Sequence, residues 1–119
     1  MKKLNLVNLF AHADCVQTLP AGHKIVKQGD PGEHFFVVLD GQADVIINDL
    51  VVEQMGAGDV FGEMTLIDAG PRSATVVAKT PCRVAIVDEK RFLFMVQQTP
   101  HFALQVMHVM AQRLRRRTS

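Results

Sequence analysis

The sequence lacks any long run of apolar residues, which argues against a protein that spans a membrane with helices. No stretch approaches the roughly 18 consecutive apolar residues that suggest a membrane span. The N-terminus, residues 1–10, contains two lysines but neither a continuous apolar segment nor a small-residue cleavage site, so nothing marks the chain for secretion. We therefore expect a cytoplasmic protein with no membrane partner.

Cysteine is scarce and histidine is dispersed, and neither pattern suits disulfide or metal chemistry. The two cysteines, Cys15 and Cys82, stand far apart without CxxC spacing and do not make a disulfide framework. The five histidines show no HxH or HExxH spacing. Glu63 and Asp68 could form an acid–base pair, but no nucleophile accompanies them. We therefore expect no enzyme activity, no catalytic residues, no metal and no cofactor.

The net charge is also small, at +1, and the positive charges are unevenly distributed. Arg113 and the run Arg115 to Arg117 supply four of the thirteen basic residues, leaving nine basic residues against twelve acidic ones in the rest of the chain. An acidic body with a basic tail is not typical of a protein that wraps nucleic acid. Direct DNA binding is not expected.

Glycines recur from Gly22 to Gly70 and separate short segments rich in valine, isoleucine and phenylalanine. The segment Phe35 to Leu39 is continuously apolar, which predicts a strand covered on both faces. Closely spaced strands with this density of turns predict a sandwich, a jelly roll or a small barrel. The predicted strands are His23–Lys27, His34–Leu39, Ala43–Ile47, Val51–Met55, Ser73–Ala78 and Arg83–Val87.

Helical spacing of apolar residues is found at both ends of the chain. Leu4 to Ala13 has the pattern of a short amphipathic helix, and the pattern returns from Lys90 onward in two segments divided by Thr99-Pro100. A chain of 119 residues has the usual size of one domain. We predict a single domain over residues 1–119, with an N-terminal helical segment at 1–18, strands at 19–88 and C-terminal helices at 89–119.

The most informative segment runs from Asp59 to Val77 and suits a ligand that carries both phosphate and sugar. Gly62 would let the backbone approach a ligand closely, and residues 63–68 could form one helical turn with amides open to an anion. Arg72 supplies a charged planar fork for two phosphate oxygens, and Ser73 adds a hydroxyl donor. Glu63 could accept hydrogen bonds from a ribose hydroxyl.

The run Phe61-Gly-Glu-Met-Thr-Leu-Ile67, followed by Pro71-Arg-Ser-Ala-Thr75, resembles the phosphate-binding cassette of the cyclic-nucleotide-binding domains. This family includes catabolite activator proteins, regulatory subunits of cyclic-AMP-dependent kinase and cyclic-nucleotide-gated channels. The turns Leu19–Gly22, Gln28–Gly32 and Val38–Gly41 resemble earlier turns of the same family. The resemblance extends over nearly the whole chain, from about Leu19 to Leu114.

The resemblance implies a mainly β fold with flanking helices: an eight-stranded antiparallel β-roll, or jelly roll, with N-terminal and C-terminal helices. It also implies a cyclic nucleotide as ligand, which we expect to be cyclic AMP, with cyclic GMP left open. Carried over by position, Glu63 would hold the ribose 2′-hydroxyl and Arg72 the cyclic phosphate. Gly62, Ser73 and the backbone amides of Met64, Thr65 and Ala74 would complete the ligand-binding set.

In this family the C-terminal helix moves over the base of the ligand, and the resemblance makes Met107, Met110 and Arg113 candidates for that lid. Relatives of the catabolite activator type also pair through this helix, so a homodimer is an open alternative to packing on the roll. Because the sequence ends at Ser119, we expect a stand-alone bacterial-type domain without a helix-turn-helix.

The function implied is that of a sensor that transmits cyclic-nucleotide occupancy through its C-terminal helices to an unknown effector. Two alternatives remain at this stage. One is the sensor part of a transcription regulator that acts with a separate effector. The other is an interaction module of the same fold that binds no ligand.

Overall fold

The structure is a computed structural model that describes residues 6–10, 13–62 and 70–118. No helix within these ranges has the length and apolar character needed to cross a membrane. In chain order the elements are α1 (Leu6–Phe10), β1 (Val16–Leu19), β2 (Lys24–Val26), β3 (His34–Asp40), β4 (Ala43–Ile47), β5 (Leu50–Met55), β6 (Val60–Phe61), β7 (Thr75–Ala78), β8 (Cys82–Asp88), α2 (Glu89–Gln98) and α3 (His101–Thr118).

The eight described strands form two antiparallel sheets. One has the order β1-β8-β3-β6 and the other the order β2-β7-β4-β5. Their inward-facing side chains form one apolar cluster that includes Phe36, Met55 and Val84. The mainly β fold and the antiparallel roll predicted from the sequence are confirmed.

The strand β3 is covered on both faces, as its unbroken apolar run predicts. Side chains alternate between the two faces of a strand, so Phe36 points into the roll while its neighbour Phe35 points outward. Phe35 belongs to a second apolar cluster, which α1, α2 and α3 complete on the outside of the sheet. All five residues from Phe35 to Leu39 are buried as a result.

The helices lie against this outer face through an aromatic cluster. The ring of Phe102 on α3 meets the ring of Phe10 edge-on at 5.9 Å and the tilted ring of Phe92 at 5.4 Å. Phe92 in turn meets Phe35 edge-on at 5.6 Å. Asp88 caps α2 by accepting a 2.7 Å hydrogen bond from the Arg91 amide, which satisfies an otherwise unpaired donor.

Two strands depart from the sequence-based expectations by more than a shift of one or two residues at an element's end. Within the segment 1–18 predicted to be helical, Leu6–Phe10 is helical, whereas Val16–Leu19 forms β1, paired with β8. Val60–Phe61 forms the short strand β6, which was not predicted. Tertiary pairing decides both strands, because neither segment is long enough to show a clear two-residue periodicity of its own.

Candidate functional site

The candidate site is built around the backbone of Arg72, in the loop between β6 and β7. The Arg72 N–H donates to the Asp30 carbonyl at 2.8 Å, and the Arg72 carbonyl accepts from the Gly29 N–H at 2.8 Å. Pro71 and Pro31 form a β-bridge beside this pair. Both backbone groups of Arg72 are therefore bound to the turn that follows β2, and that turn fixes the position of the Arg72 Cα atom.

The guanidinium of Arg72 extends from this point across the end of the roll. Its Nη2 donates to the His34 carbonyl at 2.9 Å, and its Nη1 lies 3.4 Å from the Gly62 carbonyl. The central carbon of the guanidinium lies 5.7 Å from the centre of the Phe36 ring, within the range of a cation–π contact. The side chain is thus held by backbone oxygens and by one aromatic face.

The electrostatics of Arg72 favour an anionic ligand. Partial burial lowers the pKa of the guanidinium from its ordinary value, but an arginine in a protein remains charged at neutral pH. A guanidinium carries five N–H donors, and within residues 6–10, 13–62 and 70–118 Arg72 uses two of them, both on neutral carbonyls. No carboxylate in these ranges pairs with it. In the described part of the chain, therefore, no carboxylate neutralises this charge.

Two glycines make room for this arrangement. A β-carbon on Gly32 would overlap the Arg72 guanidinium, although the backbone of Gly32 is not in the left-handed region. Gly62 has a φ of 78°, and a β-carbon there would lie 2.5 Å from Arg72 Nη1 and 3.2 Å from the His34 carbonyl. Gly62 is thus required both by its backbone conformation and by the close approach of Arg72.

The structure brings together two of the residues proposed from the sequence, Gly62 and Arg72. Ser73 follows Arg72 and is exposed, while Ala74 is half-buried against the interior cluster of the roll. Glu63, Met64 and Thr65 lie outside the described residues. Their assignment to the ribose and the phosphate stays a prediction.

The candidate lid residues all lie on α3, away from the contacts described for Arg72. Met107 is exposed, and Met110 is half-buried against the apolar cluster on the outer face of the sheet. Arg113 lies near the end of the same helix. None of the contacts described for the guanidinium involves α3, so the lid also stays a prediction.

The sequence did not predict the residues that hold the backbone and the guanidinium of Arg72 in place. The turn Gln28–Gly32 was singled out as a family-like turn, but nothing in it pointed to a bond with the backbone of Arg72. The carbonyl of His34 and the ring of Phe36 were not predicted either. A backbone carbonyl has no residue-type signature, and His34 lies 38 positions from Arg72 along the chain. The one available signal was Gly32, which closes that turn.

Comparison with known proteins places the chain in a family. Residues 16–99, more than half of the sequence, match the cyclic nucleotide-binding domain family, and the chain belongs to it. The resemblance seen in the cassette and the outer turns is confirmed. This family has a regulatory fold, and the match indicates no catalytic family.

A protein kinase regulatory subunit and a protein kinase are among the relatives. The cAMP-dependent protein kinase regulatory subunit of Neurospora crassa is 40% identical over 78 residues, covering 64% of this chain and 20% of that protein. The cGMP-dependent protein kinase of Plasmodium berghei is 39% identical over 83 residues, covering 70% of this chain and 10% of that protein. The chain therefore spans a fifth or less of the length of these relatives.

A solved structure supports the same assignment. The catabolite activator protein of Thermus thermophilus has a TM-score of 0.74 and 29% sequence identity, covering 87% of this chain and 51% of that one. Nearly the whole described roll therefore has a counterpart in a bacterial relative.

Proposed function

We propose that this chain binds cyclic AMP, with the Arg72 guanidinium on the cyclic phosphate, and that occupancy alters the packing of α2 and α3. One observation carries the proposal: in a member of this family, a half-buried guanidinium with unused donors lies against Gly62 with no carboxylate paired to it among the described residues. A planar, charged fork of this kind suits two oxygens of a phosphate.

The remaining ligand contacts of the proposal lie on either side of Arg72. Glu63 accepts the ribose 2′-hydroxyl, and the amides of Met64, Thr65 and Ala74 donate to the phosphate oxygens. The exposed hydroxyl of Ser73 also donates to the phosphate. Gly62 carries no side chain, so the ligand can approach the backbone there.

Cyclic GMP is the alternative ligand. The two kinase relatives, one named for each nucleotide, have nearly equal identity to this chain, at 40% and 39%. The Ser73 hydroxyl can serve the phosphate, but it can also meet the amino group of guanine. Discrimination between the purines therefore has to be measured directly.

The experiment that tests the proposal is a calorimetric titration of protein freed of carried-over ligand with cyclic AMP, cyclic GMP and 5′-AMP. Saturable binding of a 3′,5′-cyclic nucleotide in preference to 5′-AMP is expected, with cyclic AMP the tighter of the two. Tighter binding of cyclic GMP would reverse the choice of base only. Absence of saturable uptake of either cyclic nucleotide at millimolar concentration would reject the proposal and favour a ligand-free interaction module.

A homodimer through α3 forms part of the proposal. Leu104, Met107 and Leu114 are exposed apolar residues on α3, and steps of three and seven place them on one side of a helix. Such a stripe has the spacing of a helix-pairing seam. Light scattering during the same titration would measure the mass with and without nucleotide.

The proposed role of Glu63 predicts a loss that depends on the ribose. Glu63→Ala should weaken cyclic AMP binding about tenfold, since a charge-assisted hydrogen bond to the ribose is removed. The same change should have little effect on binding of 2′-deoxy cyclic AMP, which lacks the hydroxyl. Glu63→Gln, which keeps one acceptor oxygen, should lose less than Glu63→Ala. An equal loss for both ligands in a titration would remove Glu63 from the ribose contact.

The close approach of Gly32 to Arg72 predicts that a side chain at position 32 displaces the guanidinium and weakens ligand binding. Gly32→Ala should weaken cyclic AMP binding by about tenfold or more, because the new methyl group occupies the place of the guanidinium. Folding should be unaffected, since the Gly32 backbone is compatible with alanine. Calorimetry and a melting curve measure the two effects separately.

Gly56→Ala is the matched control for Gly32→Ala. Gly56 also lies outside the left-handed region, and the only described atom that a β-carbon there would meet is the Gly41 carbonyl oxygen, at 4.0 Å. This variant should bind as the unchanged protein does. If Gly32→Ala and Gly56→Ala bound equally well, the steric argument would be wrong.

A further inference from the structure

The turn that holds the backbone of Arg72 is itself held at its first residue, Gln28. Gly29, whose N–H donates to the Arg72 carbonyl, and Asp30, whose carbonyl accepts from the Arg72 N–H, follow directly after it in the chain. The backbone N–H of Gln28 donates to Thr75 Oγ1 at 2.9 Å. Thr75 begins β7, three positions after Arg72, so this bond closes the turn onto the same segment that carries the arginine.

The side chain of Gln28 ties the turn to a different part of the roll, the tip of the β4–β5 hairpin. Its Oε1 accepts from the backbone N–H of Asn48 at 3.1 Å, and its Nε2 donates to Asn48 Oδ1 at 3.2 Å. A backbone N–H can only donate, so the first bond fixes which end of the Gln28 amide is oxygen. The other end of the amide is therefore Nε2, which donates to Asn48 Oδ1.

The hairpin tip is built to present Asn48 in this way. Asn48 and Asp49 form a two-residue connection with φ values of 50° and 68°, the conformation of a type I′ turn. Asparagine tolerates this left-handed region better than most residues. A primary amide carries a donor and an acceptor together, so the Gln28 side chain can bond both the backbone N–H and the side-chain Oδ1 of Asn48 at once.

We propose that Gln28 is a positioning residue of the phosphate site, which links the tip of the β4–β5 hairpin to the backbone of Arg72. The inference rests on the proposed function, in which the Arg72 guanidinium binds the cyclic phosphate. Gln28 is exposed and does not belong to the apolar core. Its loss should therefore change the placement of Arg72 more than the stability of the fold.

The test compares Gln28→Met, which keeps the length of the side chain, with Asn48→Gly, which keeps the left-handed turn and its N–H but removes Oδ1. Gln28→Met should weaken cyclic AMP binding about threefold to tenfold, and Asn48→Gly somewhat less. Because the two residues act through one pair of bonds, the double variant should bind no more weakly than Gln28→Met alone. Gln17→Met, an exposed glutamine on β1, is the matched control and should bind normally.

Two further measurements separate positioning from loosening of the fold. In an Arg72→Ala background, Gln28→Met should cause no additional loss of affinity, whereas a general loosening would weaken binding in both backgrounds. In the ligand-free protein, the NMR signals of the Arg72 backbone amide and Nε–H should shift in Gln28→Met and not in Gln17→Met.

Unchanged Arg72 signals in Gln28→Met, or an equal loss of affinity in both backgrounds, would overturn the assignment. The NMR measurement needs no ligand. It therefore decides the positioning role even if the titration with nucleotides rejects the proposed function.

Discussion

Replacement of Arg72 by alanine is expected to weaken cyclic AMP binding by about a hundredfold or more. The cyclic phosphate would enter a partly desolvated position without its counter-charge, and loss of one member of such a pair costs about 3 to 5 kcal/mol. The stability of the free protein should change little, because the bonds that the Arg72 side chain makes to the described residues go to two carbonyls at the edge of the roll. Calorimetry and a melting curve on the same samples measure both quantities.

Two variants define how the loss arises. Arg72→Lys keeps the charge but removes the planar fork, so it should recover part of the affinity and not all of it. Arg83→Ala removes an exposed arginine from β8 and should leave binding unchanged, which controls for net charge. Near-equal affinities of Arg72→Ala and the unchanged protein would show that the phosphate does not bind at this guanidinium.

Replacement of Phe102 by alanine is expected to cause the largest loss of stability, about 3 to 5 kcal/mol in the free energy of unfolding. Phe102 is fully buried and lies between the rings of Phe10 and Phe92, so truncation leaves a cavity where α3 meets the sheet. Urea denaturation followed by circular dichroism measures the change. Phe102→Leu, which leaves a smaller cavity, should lose less and gives a second measurement if the alanine variant does not fold.

The control for Phe102 is an apolar residue that lies outside the core. Leu93 on α2 is 57% exposed, and Leu93→Ala should change the free energy of unfolding by only about 0.5 kcal/mol. Equal losses for Phe102→Ala and Leu93→Ala would contradict the packing of α3 on the roll.

The fold could be predicted where the sequence repeats a clear physical pattern. Phe35 to Leu39 is apolar at every position, and β3 is buried on both faces as predicted. Thr99-Pro100 separates the two C-terminal helices, because proline restricts the residue before it and suits a helix start. The strands β1 and β6 were not predicted because their pairing partners, distant in sequence, decide them.

Only those features of the candidate site that depend on side-chain chemistry could be predicted from the sequence. A permanent charge at Arg72 and a glycine at position 62 have recognisable roles, and the structure brings those two residues together. The support behind them depends on backbone groups and on long sequence separations. Gln28 and Thr75, for example, lie 47 positions apart, and no local pattern predicts their hydrogen bond.

The alternation along β3 has a mechanical consequence. Phe36 lies beneath the guanidinium inside the roll, and the preceding residue, Phe35, touches Phe92 of α2 on the outside. One peptide unit joins the two residues, and the strand rises by about 3.3 Å between them. A movement of that peptide unit would therefore displace both rings, which couples the interior beside Arg72 to the helical layer.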